Sequence, residues 1–123
     1  MRNEQGKWII VEGKTDKEKI APLIDEPVHI VCTHGTVGFE QMEELIDFLE
    51  NKEVYILVDA DDAGNKLRKQ LKQELPNAKQ LYIRKMHKEV ARTPGEELLR
   101  ILENAHFQVR ASGLPFQDGR SER

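Results

Sequence analysis

Val54-Tyr55-Ile56-Leu57-Val58-Asp59-Ala60-Asp61-Asp62-Ala63-Gly64 is an apolar run that stops abruptly on acid. The apolar part is short, β-branched and continuous, as expected of a strand covered on both faces. Asp59 closes that strand, where an ionised carboxylate is costly unless something compensates it. Asp61 and Asp62 follow at once, and capping of the next helix accounts for only one of the three acids. A hard divalent cation would relieve the excess, and oxygen-only ligands favour Mg²⁺ or Mn²⁺. Two readings therefore stand at this turn, plain capping and metal binding by Asp59 and Asp61. Gly64 lets the helix start pack closely, or lets a phosphate approach the backbone.

Working outward, the chain repeats the same grammar. Strands are predicted over residues 8–11, 28–32, 54–58 and 81–83, the last the weakest. Between them, Met42, Leu45, Ile46 and Leu49 keep the i, i+3, i+4, i+7 spacing of a helix stripe. Leu67, Leu71 and Leu75 line the next helix, which Pro76-Asn77 ends, and Leu98, Ile101, Leu102 and Ala105 line the last. Thr15 with Glu18, and Thr93 with Glu96 behind Pro94, read as helix-starting capping boxes. Strands alternating with helices predict an α/β fold of Rossmann-like type, a four-stranded parallel sheet flanked by helices in three layers. We expect one domain over residues 1–110 and a mobile tail over 111–123, where apolar periodicity stops.

Open parallel sheets bind ligands beyond the carboxyl ends of their strands. Beside the acidic turn, two other strand ends stand out. Glu12-Gly13-Lys14-Thr15-Asp16 follows the first strand and Thr33-His34-Gly35-Thr36 the second. Glu12 is either a solvated strand-end residue or, beside metal and phosphate, a general acid or base. Asp16 reads as a first-turn helix acid, and His34 as a turn residue at the edge of the site.

Composition bounds the function. The chain has 123 residues, 38% hydrophobic and 33% charged, as a soluble globular domain would. Its single cysteine, Cys32, excludes an internal disulfide and any multi-cysteine zinc site, and lies in an apolar run as a small hydrophobe would. The single cysteine points to a reducing, cytoplasmic setting, and the apolar stretch near the N-terminus is too short for a signal peptide or membrane span, so no membrane is expected. A net charge of −3 offers no global attraction for nucleic acid, which leaves local basic patches and metal. Such a patch runs from Arg84 to Arg92. It reads as a solvated loop, or as a phosphate-holding one should the sheet bring it to the acids. Lys66, Arg68, Lys69 and Lys72 crowd the third helix, while Glu40, Glu43, Glu44, Asp47 and Glu50 crowd the second. Trp8 and the phenylalanines are unpatterned, so no base-stacking platform is expected.

These two acidic strand ends together resemble a known family. Ile9-Ile10-Val11-Glu12-Gly13-Lys14-Thr15-Asp16 resembles the hydrophobic-Glu-Gly motif of Toprim domains. Val58-Asp59-Ala60-Asp61-Asp62-Ala63-Gly64 resembles their Asp-x-Asp-x-x-Gly motif. The likeness spans about residues 7 to 105, with both motifs in order and each at a strand end. Toprim domains occur in topoisomerases, bacterial primases, OLD-type nucleases, RecR-like recombination proteins and a ribonuclease that matures ribosomal RNA. The resemblance implies Glu12 as catalytic acid or base and Asp59 and Asp61 as Mg²⁺ ligands, with Mn²⁺ an alternative ion. It implies Gly13, Asp16 and Gly64 as supporting residues. Lys14, Arg68, Arg84 and Lys85 are the expected phosphate contacts.

Departures from the pattern narrow the choice. No tyrosine sits in a topoisomerase-like motif, since Tyr55 and Tyr82 fall inside predicted strands, and zinc-binding cysteines are missing. The expected function is Mg²⁺-dependent phosphodiester chemistry on RNA or DNA by a stand-alone domain of nuclease-like type. The alternative is a non-catalytic module that binds nucleic acid or a protein partner supplying the chemistry. A second copy of the chain is a further expected partner. A response-regulator-like phosphoacceptor shares the strand-end aspartates but not the Glu-Gly motif.

Overall fold

A computed structural model of the chain describes residues 6–34 and 39–110. The strands are β1 (Lys7–Val11), β2 (Val28–Cys32), β3 (Glu53–Leu57) and β4 (Lys79–Leu81). The helices are α1 (Lys14–Ile20), α2 (Phe39–Leu49), α3 (Asp62–Glu74) and α4 (Gly95–Asn104). All strand pairs are parallel and the sheet order is β2-β1-β3-β4. The expected α/β architecture with a four-stranded parallel sheet is what forms. Expectations for Gly35, Thr36 and the 111–123 tail lie outside the described residues.

Period-two alternation sorts β1 and β3 into two cores. Ile9 and Val11 of β1, with Tyr55 and Leu57 of β3, join Ile20, Leu98 and Leu102 on the α1 and α4 side. Ile10, Val54, Ile56 and Val58 face the other way and meet Met42, Leu49, Leu67 and Leu71 from α2 and α3. Helices thus cover both faces of the sheet, which is why β1 and β3 read as uninterrupted apolar runs. Ile10, Ile56, Leu67 and Leu98 are fully buried, each contributing about 1.5–3 kcal/mol of burial. Cys32 is half-buried and packs against the first core, as a small hydrophobe. Among the described residues no helix is long and apolar enough to cross a membrane.

Three local expectations need correction. The box at Thr15 and Glu18 is displaced. α1 begins at Lys14 with Gly13 as its N-cap, and Asp16 is the residue that reaches back, accepting from the Gly13 N–H at 3.1 Å. Thr93 does not cap α4. Its hydroxyl donates to the Glu89 carbonyl at 2.9 Å, and Pro94 precedes the first helical residue. The fourth strand lies two residues earlier than 81–83, because an edge strand need not be apolar throughout. Lys79 and Gln80 pair with Tyr55 and Ile56 of β3, and only Leu81 is buried. Tyr82 therefore falls outside the strand.

Candidate active site

The order β2-β1-β3-β4 reverses direction between β1 and β3, and the crevice of such a sheet opens at that point. Glu12 leaves the end of β1 there, and Asp59 follows the end of β3. Pairing of Ile10 with Ile56 brings these two strand ends side by side. One carboxylate oxygen each from Glu12, Asp59 and Asp61 lies within 4.8 Å of the others. The structure brings these three predicted residues together.

Each aspartate is aimed by a backbone amide. Asp61 is the N-cap of α3 and its Oδ1 accepts from the Gly64 N–H at 2.7 Å. Asp59 Oδ1 accepts from the Val90 N–H at 2.8 Å. The two readings of the acidic turn are thus both visible, capping by Asp61 and a shared cluster. Gly64 is required by packing. A Cβ there would stand 2.0 Å from the Asp59 carbonyl oxygen, so the first turn of α3 rests directly on the Asp59 backbone. Gly13 is under no such constraint, as a Cβ would meet only Asp16 Oδ2, at 3.9 Å.

Glu12 is half-buried. Its pKa is pushed from 4.5 up to about 7, first by burial and then by the hydrogen bond and negative charge of the Asp59 carboxyl, with Asp61 adding to it. A carboxyl titrating near neutrality can both give and take a proton in the physiological range. Its backbone is held from the β2 side, where the His34 N–H donates to the Glu12 carbonyl at 2.6 Å. His34 achieves this with φ 57, in the left-handed region, and its side chain is exposed.

Asp16 stands apart from the cluster. It is 7% exposed and holds the Gly13 amide, so it braces the turn that presents Glu12. Burial, then the charge of Asp59, raises its pKa. Its sequence position suggested an ordinary first-turn acid, and only the folded chain buries it. Lys14 is exposed and pairs loosely with Glu18 at 3.9 Å. Arg84 is exposed and pairs with Glu97 at 3.4 Å, and Lys85 is exposed at the start of a short 3₁₀ turn.

The basic loop after β4 is built onto the acidic turn. Besides the bond from Val90 to Asp59, the Ala60 N–H donates to the Lys88 carbonyl at 2.7 Å. Lys88 reaches this position at φ 63 and ψ −45, the centre of a γ-turn closed by the Glu89 N–H on the His87 carbonyl at 2.6 Å. That conformation is rare and strained for a residue with a side chain. Arg68, on α3, is half-buried. Its Nη1 donates to Gln80 Oε1 at 2.6 Å and its guanidinium lies 4.2 Å from the centre of the Tyr82 ring. Burial lowers its pKa, while Tyr82, and after it the charge of Glu12, work in the opposite direction. The Arg68–Tyr82 contact and the backbone bonds of Lys88 and Val90 to the acidic turn carried no signal in the sequence.

The donor set is all oxygen, and each aspartate has one oxygen engaged by a backbone amide. An all-oxygen set of this kind can hold a divalent cation and suits a hard one better than zinc.

Comparison with known proteins adds three findings. Residues 7–93 match the Toprim domain family. The uncharacterized protein YusF of Bacillus subtilis is 49% identical over 107 residues, covering 87% of this chain and 73% of its own length. Ribonuclease M5 of Fusobacterium nucleatum is 32% identical over 115 residues. This chain spans 63% of that ribonuclease and 42% of the Mycoplasma genitalium ribonuclease M5, which is 34% identical over 76 residues. The solved structure of a small TOPRIM domain protein from Bacillus stearothermophilus superposes with a TM-score of 0.86 at 47% identity. It covers 98% of this chain and 100% of that one.

Proposed function

This chain belongs to the Toprim domain family, and from that premise we propose that it cleaves RNA phosphodiesters with the help of a divalent cation. The observation that carries the reading is the meeting of Glu12, Asp59 and Asp61 within 4.8 Å at the sheet's switch point. Similarity to ribonuclease M5 proteins supports RNA as the substrate.

In this reading Asp59 and Asp61 hold Mg²⁺ or Mn²⁺ through their carboxylate oxygens. The bound ion supplies Lewis-acid polarisation of the phosphate and lowers the pKa of an attacking water. Glu12 handles the proton, because its pKa of about 7 suits transfer in either direction near neutrality. Asp16 and Gly64 act indirectly, one fixing the turn after Glu12 and the other seating α3 against Asp59. In this reading Arg68, Lys85, Arg84 and Lys14 contact the substrate's phosphates, Arg68 foremost because Gln80 already holds its guanidinium.

The test is a cleavage screen over single-stranded and structured RNA and DNA, with Mg²⁺, Mn²⁺ or chelator, beside Glu12→Gln and Asp59→Asn. RNA cleavage that needs the ion and falls by about 100-fold or more in both variants is expected. Cleavage that survives Glu12→Gln overturns the assignment. Metal-dependent RNA binding without cleavage would make the chain a binding module.

A further inference from the structure

β4 ends at Leu81, opposite Leu57 of β3, so Tyr82 follows directly after the strand end next to the one from which Asp59 emerges. Alternation sends Leu81 and Ile83 into the α1 and α4 core. Tyr82, between them, turns to the α3 side. Arg68 covers one face of its ring, and Gln80, two residues earlier on the same side of the chain, fixes that guanidinium. Yet Tyr82 remains 64% exposed. A ring placed for folding would be buried, since its apolar area is worth most when removed from water. Here one face is braced by a cation and most of the ring stays open, at the end of the strand that pairs with β3.

Charge says what would come to lie there. On the β4 flank, Lys66, Lys69 and Lys72 of α3 and Lys85 and Lys88 of the following loop are all exposed. On the β2 flank, α2 exposes Glu40, Glu43, Glu44 and Asp47. A polyanion is repelled from the α2 side and drawn across α3 and the end of β4. That path crosses Tyr82.

We propose that Tyr82 is a base-stacking residue: an unpaired nucleobase, beside the phosphate held at the carboxylate cluster, lies on the ring face away from Arg68. The inference rests on the phosphodiester reading above and names its substrate as a single-stranded or locally unpaired segment. Bases inside a duplex are already stacked and offer no face to such a ring, whereas every unpaired base offers one. Arg68 then has two tasks, contacting a phosphate and stiffening the platform from behind.

Binding is measured in the Glu12→Gln background with Mg²⁺, so that cleavage does not consume the probe. The probes are fluorescein-labelled oligouridine, oligothymidine and their duplexes, with a fluorescent purine analogue in the single strands. Tyr82→Phe and Tyr82→Trp should bind single strands within about 3-fold of the parent, and Tyr82→Ala and Tyr82→Leu should lose roughly 5- to 100-fold. Duplex binding should barely change. The purine analogue should be quenched by the parent and by Tyr82→Trp, and not by Tyr82→Ala. Oligouridine bound more tightly than oligothymidine identifies RNA as the source of the base. If Leu serves as well as Phe, or single strands and duplexes weaken equally, the ring only positions Arg68 and the proposal is overturned. If the Glu12-intact protein cleaves RNA and its Tyr82→Ala variant cleaves equally well, stacking fails and the proposed function stands. If the parent binds no nucleic acid, both fall.

Discussion

Replacing Glu12 by Gln gives the most direct physical test of the site, because the neutral amide imitates the protonated acid and cannot ionise. In the wild type the folded state raises the Glu12 pKa from 4.5 to about 7, chiefly by burial and then by the neighbouring Asp59. The folded protein therefore binds this proton more tightly than the unfolded chain does. The stability so gained is fully present below about pH 4.5 and is lost as pH rises through about 7. A displacement of that size corresponds to at most about 3 kcal/mol. Glu12 is only half-buried, and solvent screening brings the expected effect to about 1–2 kcal/mol. Urea unfolding followed by far-ultraviolet circular dichroism, in chelator, should show the two proteins nearly equal at about pH 4.5 and Glu12→Gln more stable by that amount at about pH 8. Adding Mg²⁺ at the higher pH should recover stability in the wild type, since the cation neutralises the same repulsion. A difference that stays constant across the pH range, or that favours the wild type at high pH, would refute the crowding of these carboxylates as the cause.

Two further substitutions separate the roles of the acidic turn. Gly64→Ala drives a Cβ to 2.0 Å from the Asp59 carbonyl oxygen, so α3 must shift, with a loss of about 3 kcal/mol in thermal or urea unfolding. Metal-dependent cleavage should disappear with it. Asp61→Ala removes the N-cap of α3 and should cost about 1 kcal/mol, while Asp61→Asn keeps the acceptor for the Gly64 N–H and should stay within about 0.5 kcal/mol. Equal stability of these two variants would show that the cap contributes nothing, and either should weaken Mg²⁺-induced stabilisation.

Residue order alone determined the alternating α/β architecture, three of the four strands to within a residue, and the three carboxylates that meet. Those features depend on local pattern. An apolar run buried on both faces has one period, a helix stripe another, and acids at a strand end have few ordinary explanations. Where a side chain's environment is made by distant segments, the tertiary structure decided. Thr15 and Glu18 spell a capping box, but α1 starts at Lys14 with Gly13 as its N-cap, and the buried Asp16 accepts from the Gly13 amide. β4 is an edge strand with a polar beginning, so its apolar tail was legible and its register was not, and Tyr82 was lost inside it. The basic loop after β4 joins the acidic turn because Val90 and Lys88 share backbone hydrogen bonds with Asp59 and Ala60 across about 30 residues of chain. Glu12 itself was visible as an anomaly. Its pKa near neutrality exists only because the strand order sets β1 beside β3, which puts one carboxylate against another in a partly water-free crevice.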